Sequence, residues 1–217
     1  MKNKKIDWLN HLIELLVVFI GITLAFMLNN WRENYTDKLM AANYLNSFRN
    51  DIADDYVVLD SILKSDEHKS GRINKFIQSL KNENATVSEA ELIMADIAEL
   101  NPFYPKLSTY ESIKYSGNLN ILTDYTLREK LIQYYQSLEE KKLVEEMSML
   151  YINNYIIPFI HKNADFLNQR IINGQVLTDH NFTNLVLGHY QLLLQIINNY
   201  KNIYKLNREL NLILVKR

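Results

Sequence analysis

An apolar run extends from Leu12 to Leu28 near the amino terminus, and Glu14 is its one carboxylate. With its flanking residues the run supplies about 20 mostly apolar positions, the helical length that crosses a bilayer core of about 30 Å. Trp8 and Trp31 bracket it and are the only tryptophans of the chain, and tryptophan favours the lipid headgroup layer. The pattern predicts a transmembrane helix over residues 12–30 with both indoles as interfacial anchors.

Three other interpretations of this run are a signal peptide, an in-plane helix and a core helix. A cleavable signal peptide has a shorter apolar region and a cleavage site of small residues, which Leu24–Leu28 does not offer. An in-plane amphipathic helix needs a polar face, and Thr23 is the only hydroxyl residue between Leu15 and Leu28. A buried core helix is the third alternative, since a short apolar run with one charge can be one. The spanning helix is favoured.

The cations beside the run predict its orientation. Lys2, Lys4 and Lys5 precede it, whereas the charges that follow it nearly cancel. An excess of lysine and arginine marks the cytoplasmic side of a membrane protein. We therefore expect residues 1–11 to form a cytoplasmic basic stub and residues 31–217 an extracytoplasmic helical domain, in the periplasm at a bacterial inner membrane.

One face of the predicted transmembrane helix combines small residues with the single acid. Glu14, Gly21, Ala25 and Leu28 are separated by seven, four and three positions, so they share that face. The Gly21–Ala25 pair allows close helix approach, and a carboxylate in a spanning segment is a functional candidate. The face predicts a helix–helix interface of a homo-oligomer. The alternative is that Glu14 lies shallow and reaches the cytoplasmic headgroups.

Apolar side chains recur every three or four residues through most of the remaining chain, which is the helical period. The fold class predicted is all-α: the N-terminal transmembrane helix continues into an elongated helical bundle. The last helix has a near-heptad stripe, which indicates a bundle helix, with a coiled-coil partner as the alternative. Further predictions are a helix through about Lys64, a turn at Ser65–Ser70, a short helix over Gly71–Leu80, a kink or end at Pro158, and a last helix from Asp179 or Asn181.

Local signals refine these helices. Ser88–Glu91 and Ser108–Glu111 have the spacing of capping boxes, in which a serine and an acid three residues later satisfy the first turn. Gly117 fits the left-handed position that ends a helix. Thr123 or Asp124 is expected to cap the helix that follows.

The segment from Pro102 to Leu122 is the most irregular part of the chain. Its prolines forbid a continuous helix, and aromatic residues and a glycine follow closely. Irregular segments bear binding sites more often than regular helices do. A structural corner between two helices is the simpler interpretation, and a recognition surface is the alternative. Its candidate residues are Pro102, Phe103, Tyr104, Tyr110, Ser116, Gly117 and Asn118.

The amino-acid composition excludes several classes of function. Twenty-four cations balance 25 anions, so no basic footprint for nucleic acid exists, and the absence of cysteine excludes thiol catalysis. His180 and His189 would lie about 13 Å apart on one helix, too far for one ion. The acids Asp51, Asp54 and Asp55 are assigned to a solvated helix face. The sequence therefore predicts no enzyme, no metal site and no cofactor.

Two stretches resemble a family. Residues 14–33 end in Asn29-Asn30-Trp31, and residues 108–122 contain Ser116-Gly117-Asn118 before a Leu127–Tyr135 segment. They resemble an uncharacterised family of bacterial single-span membrane proteins with an anchor ending in Asn-Asn-Trp and a helical extracytoplasmic domain. This chain departs from the family pattern before Glu14, where the family tends to have glycine. The resemblance implies no activity, but it implies a shared purpose for these residues.

Together these features predict a membrane-anchored structural or accessory interaction protein, oligomeric or part of a larger membrane complex. Its partners would be the lipid bilayer and a second copy or another membrane protein, and not nucleic acid. A periplasmic ligand-sensing module is the alternative. A pore that uses Glu14 is a weaker one, because a single acid is little to build it from.

Overall fold

The computed structural model describes residues 8–165, 167–168, 170–172 and 174–216. The lysines on which the predicted orientation depends lie outside the described residues. The described chain is all-α, as predicted. Its elements are α1 (Trp8–Lys81), α2 (Val87–Ala98), α3 (Ser108–Tyr115), a 3₁₀ turn (Asn118–Ile121), α4 (Tyr125–Tyr151), a π turn (Ile152–Ile156), α5 (Ile157–Asn163), β1 (Ala164–Asp165), β2 (Arg170–Ile171), a second 3₁₀ turn (Gly174–Thr178) and α6 (His180–Val215).

Helix α1 has 74 residues and, at 1.5 Å per residue, is about 110 Å long. Every residue from Trp8 to Leu39 is exposed, and the bundle core begins at Phe48. The predicted turn at Ser65–Ser70 and the separate helix over Gly71–Leu80 are wrong, because α1 continues through both. Asp66, Lys69 and Ser70 of this polar stretch are buried against the core, while the other three residues are exposed.

In the bundle, α6 packs along both the second half of α1 and α4, and shorter elements surround these three helices. α4 and α6 run antiparallel, since Lys130 pairs with Glu209 while Tyr151 reaches the backbone of Asn184. The apolar stripe of α6 is buried in this core, which confirms a bundle helix. Large, almost fully buried side chains include Phe48, Ile52, Leu59, Ile73, Leu131, Tyr134, Phe182 and Tyr200.

The helix ends follow the predicted chemistry in part. Asp124 caps α4 and Asp179 caps α6 through bonds to backbone N–H groups, and Gly117 has the left-handed φ of 71°. The predicted serine caps are wrong. Thr86 caps α2 in a reciprocal box with Glu89, and α3 begins without a side-chain cap.

The chain passes Pro158 without breaking. α4 widens into the five-residue π turn and continues as α5, with the proline near its start. A proline has no N–H for the helical ladder and its ring crowds the preceding turn, and the π turn accommodates both effects. The hairpin that follows pairs Ala164 with Ile171 and Asp165 with Arg170. It was not predicted, since two-residue strands are too short to show a period.

Candidate functional site

The first candidate is the apolar half of α1, meaning the exposed first half of the helix that contains the apolar run Leu12–Leu28. Within the described part of the chain it is the one helix long and apolar enough to cross a membrane, and its length and composition fit a membrane anchor or a signal sequence. None of its apolar window is buried in the protein, which contradicts the core-helix alternative. Glu14 lies 3.5 Å from His11, and both side chains are exposed. Gly21, Ala25 and Leu28 are exposed as well, so the predicted interface face is open.

A polar collar follows the apolar residues. Asn29 donates a 2.8 Å hydrogen bond to Glu33 and accepts one of 3.5 Å from Arg32. Trp31 stacks on Tyr35 with ring centroids 6.3 Å apart. Trp8, the other predicted anchor, is 79% exposed at the opposite end. The two indoles therefore bracket the exposed apolar surface.

The predicted recognition corner divides into two parts. The first, residues 99–106, is an extended strap across the middle of the bundle. Phe103 lies in the core with 0% exposure, whereas Tyr104 is 80% exposed. Tyr110, on the following helix, stacks on Tyr135 with ring centroids 3.9 Å apart. The second part, Ser116–Asn118, lies at the other end of α3. The structure does not bring the two parts together.

A buried ion pair on α4 holds the strap from one side. Lys141 bonds Glu145 at 2.8 Å and donates to the Phe103 carbonyl at 2.7 Å. The Tyr200 hydroxyl donates to Glu145 and accepts from the Phe103 N–H at 3.0 Å. Burial and the adjacent carboxylate raise the pKa of Tyr200, so it remains a hydroxyl. Backbone groups of the strap are thus satisfied by side chains of two helices.

Side chains of α1 hold the strap from the other side. Asn101 donates to Asp66 at 2.8 Å, and Lys69 donates to the Glu99 carbonyl at 3.1 Å. Asp66 and Lys69 are 1% and 2% exposed. Burial raises the pKa of Asp66 above its usual value. These residues explain why α1 carries charge on its inner face.

Asp55 of α1 binds the last residue of the strap, and its environment differs from the prediction. It was assigned to a solvated face, yet it is 2% exposed and accepts from the Lys106 N–H at 2.9 Å and from the Tyr134 hydroxyl at 2.7 Å. Burial raises its pKa. Asn207 of α6 lies 3.5 Å from the same hydroxyl and donates to the Ile52 carbonyl at 3.0 Å. Polar side chains thus join three long helices and the strap.

These polar groups bond the backbone of the strap, and Lys141 and Glu145 also line a cleft of about 390 Å³ together with Pro102, Phe103 and Tyr104. Most of their polar atoms form hydrogen bonds inside the protein, while Asp66 Oδ2 and Asn207 Oδ1 have no partner within the described residues. Buried hydrogen-bond networks favour one arrangement of a core. Among the described residues there is no group of three or more His, Asp or Glu side chains that could hold a metal ion. The strap is thus hydrogen-bonded to α1, α4 and α6.

His189, which the sequence places too far from His180 to share an ion, is a core residue with 1% exposure. Neither of its ring nitrogens has a hydrogen-bond partner within the described part of the chain. Burial, with nearby Lys69, lowers its pKa to about 4. The apolar period of α6 contains this position, which was the signal available in the sequence.

A separate cavity of about 580 Å³ lies between α2, α5 and the hairpin. Its walls are mainly apolar, and Glu91, His161, Asp165 and Arg170 stand among them. Glu91 accepts a 2.9 Å hydrogen bond from the Ile171 N–H, which ties the hairpin to α2. Volumes of this size are typical of small-molecule pockets. No predicted site residue lines it.

Comparison with known proteins leaves the activity open. No curated protein and no solved structure matches the chain. One family does, over residues 14–192, a span that includes the apolar run from Glu14 onward, the strap and most of the bundle. This agrees with the resemblance to an uncharacterised family. The chain belongs to the family of unknown function DUF6090.

Proposed function

We propose that the protein is a membrane-anchored accessory interaction protein. α1 spans a bacterial inner membrane with its amino terminus in the cytoplasm, and the helical bundle stands in the periplasm. The single observation that supports this most is the exposed apolar half of α1, which continues into the bundle as one helix. Such a surface is stable in lipid and costly in water.

The partner of the anchor is a second copy of the chain or another membrane helix. The Gly21–Ala25 face supports this, because a side-chain Cβ at Gly21 would meet nothing within 4 Å inside the protein. Small residues let two backbones approach in lipid. Glu14 lies on the same face and would favour a polar partner in that contact. The function is thus to present a rigid periplasmic bundle within an oligomer or complex.

The test uses the full chain in detergent and in native membranes. Alkaline carbonate should leave it in the membrane fraction, and light scattering should give a protein mass several times 25.6 kDa. Gly21→Ile should lower that mass because it fills the contact, whereas Thr23→Ile, on the opposite face, should not. Release by carbonate would refute the anchor, and a monodisperse monomer with no co-purifying membrane protein would refute the interaction role. Unchanged ion flux in Glu14→Gln would remove the pore alternative.

A ligand-sensing module is the second candidate function, and the 580 Å³ cavity supports it. The ligand would be a small, largely apolar molecule. An apolar fluorescent probe, anilinonaphthalene sulfonate, should bind the wild type more strongly than Ala95→Trp, which fills the cavity from α2. Leu143→Trp, an equally bulky change at an exposed site on α4, is the matched control. Equal binding by all three proteins would refute this candidate.

A further inference from the structure

The lower end of the bundle, meaning the end nearest the apolar half of α1, is formed by the turn after α3. α3 descends along α1 toward the anchor. Thr109 donates to Asp51 at 2.5 Å, and one turn later Ser112 lies 3.3 Å from Tyr44. The contact point on α1 thus moves seven residues toward the anchor while α3 advances three. The chain reaches its lowest point after α3 ends at Tyr115.

The depth of this turn follows from its contacts with α1. Asn120 and Ile121 line a shallow cleft together with α1 residues between Asn34 and Leu45. These two α1 positions lie three and fourteen residues beyond Trp31, which is about 5 and 21 Å along a helix. A headgroup layer is about 5–7 Å thick on each side of the hydrocarbon core. With Trp31 at the membrane interface, the edge of the cleft nearest the anchor therefore lies at the outer side of the headgroup layer.

The chemistry of the turn suits that layer. Tyr115 is 82% exposed, and tyrosine is enriched at membrane interfaces. Ser116, Gly117 and Asn120 are exposed, and no carboxylate occurs between Tyr115 and Ile121. The Asn120 side-chain amide can donate to phosphate and glycerol oxygens, whereas the Ser116 hydroxyl donates to the Ile113 carbonyl at 3.1 Å. The positive φ of Gly117 turns this polar edge sharply below the end of α3.

We propose that residues 115–121 rest on the headgroup layer of the same bilayer that α1 spans. This inference rests on the proposed membrane anchoring. It identifies lipid headgroups as the partner of Ser116–Asn118, the second part of the predicted recognition corner. The bundle then has two membrane contacts, one through the core of the bilayer and one on its surface. Together they fix the tilt of the bundle and leave its far end free for a protein partner.

The absence of cysteine makes a direct test simple. Single-cysteine variants Asn30→Cys, Asn120→Cys and Asn82→Cys of the full chain are labelled with an environment-sensitive fluorophore. They are placed in phosphatidylcholine nanodiscs with and without lipid that carries a nitroxide on its headgroup. Position 82 follows α1 at the far end of the bundle and lies about 75 Å from Trp31 along the helix. It is the matched negative control, and thermal melts in detergent verify that each variant is folded.

We expect the nitroxide lipid to quench position 120 as well as position 30, since the cleft that position 120 lines begins about 5 Å beyond Trp31 along α1. Position 82 should be unaffected. Quenching at position 30 but not at position 120 would overturn this inference and leave the anchor standing. No quenching at position 30 would instead overturn the proposed anchoring, and this inference with it. Tyr115→Cys gives an independent second reading of the same edge, with the same expected outcome as position 120.

Discussion

His189 makes the bundle sensitive to acid in a way that can be calculated. The side chain is 1% exposed, and its pKa is lowered to about 4 from the usual 6.5. In the unfolded chain it takes up a proton near pH 6.5, whereas in the folded chain it stays neutral until about pH 4. The unfolded state therefore binds more protons between these values, and the free energy of unfolding must fall as the pH falls through this window.

The magnitude follows from the pKa difference. At about 1.4 kcal/mol for each pKa unit, the lowering corresponds to a loss of about 3 kcal/mol once the pH is at or below 4. The loss is absent well above pH 6.5. It is a large part of the 5–15 kcal/mol that stabilises a typical domain. The groups that act on the ring are Lys69, whose charge lowers the pKa, and Asp96, whose charge opposes this.

The assay compares wild type with His189→Leu between pH 7.5 and 4, by urea unfolding of the full chain in detergent. Near-ultraviolet circular dichroism of the tyrosines reports on the bundle, since both tryptophans lie on the exposed part of α1. Leucine fits an apolar site and cannot titrate, so the stability difference should move by about 3 kcal/mol in favour of the variant on acidification. His68→Leu, at an exposed position of α1, is the matched control and should run parallel to wild type. A His189→Leu curve parallel to wild type would refute the reasoning.

Three further changes test the fold. Lys141→Met leaves Glu145 buried without its cation and should cost about 3–5 kcal/mol in unfolding free energy, while Lys141→Met with Glu145→Gln should recover part of that loss; equal losses would contradict a buried pair. Gly117→Ala should lower the free energy of unfolding by about 1–2 kcal/mol because of the positive φ at this position. Gly71→Ala, inside α1 with open space around it, should raise the free energy of unfolding by up to about 1 kcal/mol. Melting temperatures that shift in the same direction in both variants would argue against the assigned turn. Thr86→Ala removes the cap of α2 and should cost about 1 kcal/mol by urea titration, with an unchanged midpoint contradicting the cap.

The long apolar periods made the all-α fold and the course of α6 predictable from sequence. The starts of α4 and α6 at Asp124 and Asp179 were predictable as well. The local serine signals at Ser88 and Ser108 were not reliable, because α2 and α3 begin at other residues or without a side-chain cap. The continuation of α1 through Ser65–Ser70 was not. A run of polar residues usually marks a surface or a turn, and here partners distant in sequence bury part of it: Lys69 reaches Glu99, and Asp66 reaches Asn101.

The same limit applies to the strap and to Asp55. The Asp55 carboxylate accepts hydrogen bonds from Lys106 and Tyr134, which are 51 and 79 positions away, and no local sequence pattern contains such partners. The prolines correctly located the irregular segment. They could not show that Phe103 enters the core while Tyr104 faces outward. A buried polar group is visible in sequence only when both partners lie on one helix, as Lys141 and Glu145 do.

The uninterrupted hydrogen-bond ladder of α1 has a mechanical consequence. A helix without a hinge transmits torsion, so a rotation of its first thirty residues about their axis turns every element packed on its second half by the same angle. Each residue inserted between Asn34 and Lys38 would rotate the bundle by about 100° about the helix axis, and seven inserted residues would return it close to its starting orientation. The number of residues in this segment therefore sets the direction in which the bundle faces its neighbours.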